Sequence, residues 1–214
     1  SGPDGVPDGV IDDYDKTNIG SPMPKFTFGW TNTFRYKNFD LSVFINGSYG
    51  NKVYNYLSMK LTHMNSPWTN QLNAVNGRAQ LVPINPNKVY EDGTMWYNDV
   101  SNVMVANPGA SIPRATINDP NDNDRISDRY IEDGSYIRLK NISLGYTFPK
   151  KTIDKLGLSN LRIYANIQNL LTITGYDGYD PEIGASTSSV NVYGLDNGRY
   201  PSPTVYSFGL NVSF

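Results

Sequence analysis

The fold class is decided by the stretch Lys25-Phe-Thr-Phe-Gly-Trp-Thr-Asn-Thr-Phe-Arg-Tyr36. Aromatic side chains occupy almost every second position in it, and Thr, Gly, Lys or Arg stand between them. Successive side chains of a β-strand point to opposite faces of a sheet, whereas a helix repeats every 3.6 residues. A period of two over this length therefore predicts a long strand with one apolar face and one polar face.

Four further segments alternate in the same way. Only Lys37-Asn38 separates the first run from the second, and two alternating runs joined by two residues predict a β-hairpin. In the third run the apolar positions change phase near Lys140, which a β-bulge or a change of surroundings along the strand would explain. The predicted strands are about 25–36, 39–56, 135–148, 161–172 and 203–214.

Strand length and loop length together favour a membrane barrel. The runs extend over about 10 to 14 residues, whereas a soluble strand has about five or six and a tilted membrane-spanning strand about 9 to 11. Short connections (37–38 and 149–160) alternate with long ones (57–134 and 173–202). Outer-membrane barrels have short periplasmic turns and long extracellular loops. We therefore expect an all-β fold of antiparallel transmembrane β-barrel strands, in which residues 1–214 form part of one domain and the long loops are extracellular.

Composition excludes other classes of protein. The 18 Lys and Arg residues nearly balance the 20 Asp and Glu residues, so the chain has no basic surface for nucleic acid. It contains no cysteine and no apolar run long enough for a membrane helix, which needs roughly 18 residues.

Five strands cannot close a membrane barrel, because an open sheet edge in lipid leaves backbone groups unpaired. We therefore expect a fragment, with the rest of the barrel preceding Ser1.

The final segment alternates with apolar side chains at every second position. This pattern resembles the C-terminal signal that the outer-membrane assembly machinery binds, although an ordinary amphipathic strand would alternate in the same way. The residues of this candidate assembly signal are Tyr206, Phe208, Leu210, Val212 and Phe214.

Residues 4–15 resemble a twelve-residue calcium loop, in which carboxylate and carbonyl oxygens bind the ion. The pattern is incomplete, because Val6 stands where an acid or amide is usual and the last position is Asp rather than Glu. An acidic turn without a metal is the alternative interpretation. The candidate Ca²⁺ ligands are Asp4, Asp8, Val10 (through its carbonyl), Asp12 and Asp15.

No catalytic constellation is apparent, so we do not expect an enzyme. His63 is the only histidine, which argues against a serine–histidine–aspartate triad and against histidine-based metal sites, and we expect it to be an ordinary loop residue. The acidic stretch 118–124 is interpreted as a solvated loop.

Aromatic residues of the long loops are candidates for contact with a substrate or a lid protein, or for packing the loops: Trp68, Trp96, Tyr97, Tyr176, Tyr179, Tyr193 and Tyr200.

Four blocks resemble one family, the SusC/RagA-like TonB-dependent importers. The most distinctive block is Tyr164-Ala-Asn-Ile-Gln-Asn-Leu-Leu-Thr-Ile-Thr-Gly-Tyr176 followed by Gly178-Tyr-Asp-Pro-Glu182. The others are Tyr136-Ile-Arg-Leu-Lys-Asn-Ile-Ser-Leu-Gly-Tyr-Thr-Phe-Pro149, the segment from Asp8-Gly-Val-Ile-Asp12 through Ile19-Gly-Ser-Pro22 to Pro24-Lys25, and Tyr200-Pro-Ser-Pro203. Together these blocks cover most of the chain except the long loop 57–134, which shows no motif of the family.

The resemblance implies the late part of a 22-stranded barrel that is closed by an N-terminal plug. It further implies import of oligosaccharides or peptides across the outer membrane of Bacteroidetes-type bacteria, a SusD-like lipoprotein as lid, and energy from TonB acting on a plug that these residues do not contain. Two other hypotheses stay open: a soluble or surface-anchored β-sandwich that binds carbohydrate, and a barrel-type adhesin or porin without active import.

Overall fold

The structure is a computed structural model that describes residues 4–119, 121–182 and 193–214. It contains ten strands and two short helices among these residues. The strands are β1 (Phe26–Tyr36), β2 (Phe39–Tyr49), β3 (Lys52–Asn55), β4 (Leu81–Pro83), β5 (Val103–Val105), β6 (Ile131–Asp133), β7 (Tyr136–Thr147), β8 (Asn160–Thr174), β9 (Leu195–Asp196) and β10 (Val205–Ser213). The helices are α1 (Tyr56–Thr62) and α2 (Lys150–Ile153).

Five long strands form one antiparallel sheet in the order β1-β2-β7-β8-β10. The predicted hairpin is present, since Tyr36 pairs with Phe39 across the turn Lys37-Asn38. Phe39 in turn pairs with Tyr146 of β7. The five strands contain 9 to 15 residues each, which is the length that tilted membrane strands need.

The two faces of this sheet differ sharply in polarity. Register places the apolar positions of all five strands on one side, here called the apolar face. Its large side chains are exposed rather than covered, and include Phe26, Phe28, Trp30, Phe34, Tyr36, Phe39, Leu144, Ile163, Tyr206, Phe208 and Leu210. The opposite side, here called the polar face, carries Thr, Ser, Asn, Arg and Tyr side chains.

A charged pair crosses the polar face above a glycine. Arg162 of β8 donates to Asp40 of β2, with a distance of 2.6 Å from Nη2 to Oδ2. Gly145 of β7 lies between them, and a Cβ there would stand 2.3 Å from the Arg162 Nη2 atom. Only glycine therefore leaves room for this pair to span the middle strand.

The bulge predicted near Lys140 is confirmed. Register against β2 skips this residue, because Phe44 pairs with Asn141 whereas Ile45 pairs with Leu139. The bulge restores the phase of β7, so that the apolar residues before and after it lie on the same face. It also directs Arg138 to the polar face, which matters for the site described below.

The predicted strand 39–56 is two strands rather than one. β2 ends at Tyr49, where Gly50 adopts a positive φ of 83° that breaks the extended conformation. β3 then leaves the large sheet, pairing antiparallel with β6 and parallel with β9. The alternating sequence did not distinguish a continuous strand from one that bends into a second, three-stranded sheet.

Two compact units make up the chain. One comprises Ile19–Asn55 and Ile131–Phe214 and contains both sheets named so far. The other comprises Ser1–Asn18 and Tyr56–Tyr130. It contains α1 and the antiparallel pair of β4 and β5, so the predicted loop 57–134 has its own short elements. No helix in the described part of the chain is long and apolar enough to cross a membrane.

Candidate functional site

A cavity of about 740 Å³ lies against the polar face of the large sheet. Thr27, Ser48 and Tyr136 form its sheet side, and they are cross-strand partners in β1, β2 and β7. Its other sides come from connecting segments, chiefly those on either side of β9. The full lining is Pro22, Met23, Pro24, Thr27, Ser48, Asn51, Tyr136, Lys140, Asp180, Pro181, Glu182, Tyr193, Gly194, Arg199, Tyr200, Pro201, Ser202 and Pro203.

Arg138 organises the charged side of this cavity. Its side chain is only 3% exposed, and a buried guanidinium requires partners for its donors. Nε donates to Thr172 Oγ1 at 2.8 Å, Nη1 to Glu182 Oε2 at 2.6 Å, and Nη2 to Asp180 Oδ1. Lys140 donates to the same Glu182 oxygen at 2.6 Å. The bulge in β7 thus presents two cations to the two acids that follow β8.

Asp180 also fixes the segment that closes the cavity. Its Oδ2 accepts a hydrogen bond from the Ser202 backbone at 2.9 Å. Burial alone would raise the pKa of Asp180, but the hydrogen bonds from Arg138 and from the Ser202 and Glu182 backbones outweigh it, and the pKa is lowered. The carboxylate is therefore charged at neutral pH and ties residues 180 and 202 to β7.

A second buried pair supports β9. Tyr176 is 5% exposed, and its hydroxyl donates to Asp196 Oδ2 at 2.6 Å. The other Asp196 oxygen accepts from the backbones of Gly198 and Arg199. Burial, followed by the bond to Asp196, raises the pKa of Tyr176, so the hydroxyl keeps its proton. Tyr176 therefore packs within its loop, and contact of its ring with a substrate or a lid protein stays a prediction.

The structure separates the predicted aromatic contacts into three groups. Tyr193 and Tyr200 line the cavity with exposed rings. Tyr179 is 64% exposed and Trp68 is 93% exposed, and neither lines the cavity. Trp96 and Tyr97 pack edge to face, with ring centroids 5.7 Å apart, in the other compact unit. Contact of any of these rings with a substrate or a lid protein stays a prediction.

The candidate calcium loop forms a series of local turns. Asp4, Asp8 and Asp12 each accept a hydrogen bond from the backbone two residues later, and Asp15 accepts from the Asp12 backbone. All four acids are exposed, as is Val10. No three of these carboxylates bring oxygen atoms within 4.8 Å of one another. Calcium binding in this loop stays a prediction.

The candidate assembly signal lies on and just after β10. Its apolar side chains share the apolar face and are exposed, with Phe208 84% accessible. Its recognition by the assembly machinery stays a prediction for Tyr206, Phe208, Leu210, Val212 and Phe214.

The interpretation of His63 as an ordinary loop residue was wrong. Its side chain is 8% exposed, and Nε2 lies 2.8 Å from Oδ2 of Asp119, which is also buried. The stretch 118–124 is therefore not simply solvated. The two residues are 56 positions apart in the sequence. The fold of the loop brings them together, and the alternation of apolar and polar residues does not predict that fold.

Comparison with known proteins identifies the family to which the chain belongs. No protein-family model matches the sequence. It is 36% identical over 211 residues to TonB-dependent receptor P3 of Formosa agariphila, covering 96% of this chain and 18% of that protein. It is 29% identical over 209 residues to TonB-dependent receptor SusC of Bacteroides thetaiotaomicron, covering 96% of this chain and 17% of that protein.

The sequence is that of a SusC/RagA-like TonB-dependent receptor segment. This receptor segment spans less than a fifth of the length of the curated relatives that it matches. The resemblance predicted from the four sequence blocks is thereby confirmed.

The fold agrees with solved structures of the same kind. The receptor segment superposes on a structure of the RagAB peptide transporter with a TM-score of 0.62 at 20% identity, covering 91% of this chain and 18% of that one. A structure of the RagAB peptide importer in its 'closed-closed' state gives a TM-score of 0.60, also at 20% identity and with the same coverage. The predicted class of antiparallel barrel strands is therefore confirmed.

Proposed function

We propose that this chain supplies barrel strands and external loops to an outer-membrane importer that is energised through TonB. The observation that carries the proposal is the polarity of the five-stranded sheet. One face exposes contiguous large apolar side chains, and the other face is polar and borders a cavity. Barrels of the outer membrane have this arrangement, with lipid outside and a polar interior.

The exposed apolar face argues for lipid contact. Soluble monomers rarely expose a contiguous apolar patch larger than a few hundred Å². Here the patch extends over all five strands, and both outer strands, β1 and β10, have an unpaired edge within the described sheet. In a closed barrel these edges would pair with further strands. The β-sandwich hypothesis expects shorter strands than the 9 to 15 residues found here.

We place substrate contact at the cavity on the polar face. Tyr193 and Tyr200 offer two exposed rings, while the paired Lys140 and Glu182 offer fixed charges of both signs. Tyrosine rings provide an apolar surface with a polar tip, which suits both sugar rings and peptide side chains. The cargo is therefore an oligosaccharide or a peptide. A SusD-like lipoprotein acts as the lid over it, as the resemblance to SusC implies.

Uptake by the complete receptor tests this proposal. Cells would express a double variant of the receptor that carries both Tyr193→Ala and Tyr200→Ala. Their uptake of candidate oligosaccharides and peptides, and their growth on these substrates, would be measured. Removing two stacking rings should weaken binding by about 1.4 kcal/mol, or roughly tenfold, and reduce uptake at low substrate concentration.

Tyr179→Ala is the matched control, because Tyr179 lies in the same connection but outside the cavity. Unchanged uptake in the double variant, with loss in the Tyr179 variant, would move the site away from the cavity. Retention of uptake when TonB is deleted would contradict active import.

A further inference from the structure

His63 occupies a rigid and buried position. It follows α1 directly, and its backbone N–H donates to the Met59 carbonyl at 3.0 Å, which continues the helical turn. Its side chain is 8% exposed. A buried imidazole has little rotational freedom, so the directions of its two ring nitrogens are determined by what surrounds it.

Asp119 fixes the orientation of this ring. Besides His63 Nε2 at 2.8 Å, the Asp119 carboxylate accepts the Asn123 backbone N–H at 2.6 Å and the Asn123 side-chain amide at 2.5 Å. Both Asp119 oxygens therefore accept N–H groups, as an ionised carboxylate does. A carboxylate that is ionised can only accept, so the hydrogen of a neutral imidazole lies on Nε2.

This arrangement leaves the lone pair of Nδ1 next to a second carboxylate. Nδ1 lies 3.8 Å from Asp124 Oδ2, too far for a hydrogen bond. No other described residue bonds this nitrogen. Two ligands of one tetrahedral metal ion, each about 2.1 Å from it, are about 3.4 Å apart. The gap between His63 and Asp124 is close to the separation that an ion would bridge.

We propose that His63 Nδ1 and the Asp124 carboxylate bind a divalent transition metal of the Zn²⁺ class, with Asp119 orienting the imidazole from behind. A metal-bound histidine typically donates its other N–H to a carboxylate in this way. The mixed nitrogen and oxygen donors favour Zn²⁺, Ni²⁺ or Co²⁺ over Ca²⁺ and Mg²⁺, which prefer oxygen ligands alone. Asp124 is 39% exposed, so water can complete the coordination.

The metal would join two parts of the same compact unit. Asp119 and Asp124 bound a tight turn, within which the Asp122 N–H donates to the Asp119 carbonyl at 3.0 Å. The Tyr130 hydroxyl donates to the Asn123 carbonyl at 3.2 Å. An ion held by His63 and Asp124 would link this turn to the end of α1, 61 residues earlier in the chain.

Cobalt binding to the full receptor tests the site. The receptor, purified in detergent and stripped of metal, would be titrated with Co²⁺, whose visible absorption reports nitrogen and oxygen ligands. We expect a saturable signal that Zn²⁺ displaces, and loss of that signal in His63→Ala and in Asp124→Asn. Asp119→Asn should weaken binding 10- to 100-fold, because it removes the group that orients the ring.

Asp128→Asn removes a nearby exposed carboxylate outside the cluster, so it should leave the titration unchanged. Asp124→Asn keeps the test decisive even if His63→Ala fails to fold, because Asp124 is partly exposed and makes no hydrogen bond to His63. An equal signal in the parent receptor and in Asp124→Asn would overturn the proposal. Loss of the signal in Asp8→Asn alone would assign the metal to the acidic loop 4–15 instead.

Discussion

At the scale of single residues, Arg138 shows how a charge can be kept inside a sheet of this kind. Its guanidinium is almost fully buried, yet three of its nitrogens have oxygen partners. Two of these partners, Asp180 and Glu182, lie 42 and 44 positions later. Both acids lie in Gly178-Tyr-Asp-Pro-Glu182, part of the block that most resembles the family. Their contact with Arg138 was not predictable, because alternation carries no information about which distant loop residue reaches a strand.

Arg138→Ala should destabilise the segment around Asp180 by about 3 to 5 kcal/mol, because it leaves a buried carboxylate without its partner. Lys140→Met is the matched control: both members of the Lys140–Glu182 pair are about one-third exposed, so its loss should change stability by less than about 1 kcal/mol. Protease cleavage between residues 175 and 182 and thermal unfolding in detergent measure both effects. Equal destabilisation by the two variants would contradict a central role for Arg138.

The lowered pKa of Asp180 sets a direction for pH dependence. A carboxylate whose pKa is lower in the folded protein stabilises it above the unfolded pKa, near 4, and loses that contribution as pH falls through the folded pKa. Unfolding of the parent receptor and of Asp180→Asn would be compared at several pH values. We expect the difference in stability to be constant from pH 8 to 5 and to shrink below pH 4. A difference that grows on acidification would reverse the assignment.

At the scale of elements, the strands of the large sheet were predictable because each has a face of uniform polarity over many residues. The bulge at Lys140 was predictable for the same reason, since it appears in the sequence as a break in phase. The end of β2 was not, because Gly50 is one of several glycines and nothing around it marks the turn into β3. The short elements between residues 57 and 134 lack any sustained period, and so they escaped prediction.

Deleting Lys140 should disrupt the sheet much more than replacing it. Without the extra residue, Ile137 and Leu139 would turn to the polar face and Arg138 to the apolar face. A charge that faces lipid costs up to about 4 kcal/mol, depending on its depth in the bilayer. Heat-modifiable gel migration would measure the folded fraction, which should fall sharply in the deletion but not in Lys140→Ala. A deletion that folds as well as the parent would show that the bulge does not set the register.

At the scale of the whole molecule, the sheet and the loops differ in how far the sequence predicts them. The amphipathic sheet follows from physical chemistry, because its exposed apolar face needs lipid and its polar face needs water or protein. The cavity and the His63 cluster depend on loops, and the sequence pointed to only some of their residues: Tyr193 was among the predicted contacts, whereas Arg138 and Asp119 were not. Transport itself rests on the relation to TonB-dependent receptors.

In the proposed barrel the apolar face contacts lipid, and site-specific labelling measures that contact. The 214 residues contain no cysteine, so single cysteines can be introduced into a receptor that is cysteine-free elsewhere, at Leu144 and Phe208 on the apolar face and at Ser143 and Ser207 on the polar face. A fluorophore at the first pair should be quenched by brominated lipid, and the second pair should react with a membrane-impermeant thiol reagent. Quenching at Ser143 and Ser207, or equal quenching at all four positions, would contradict a barrel wall.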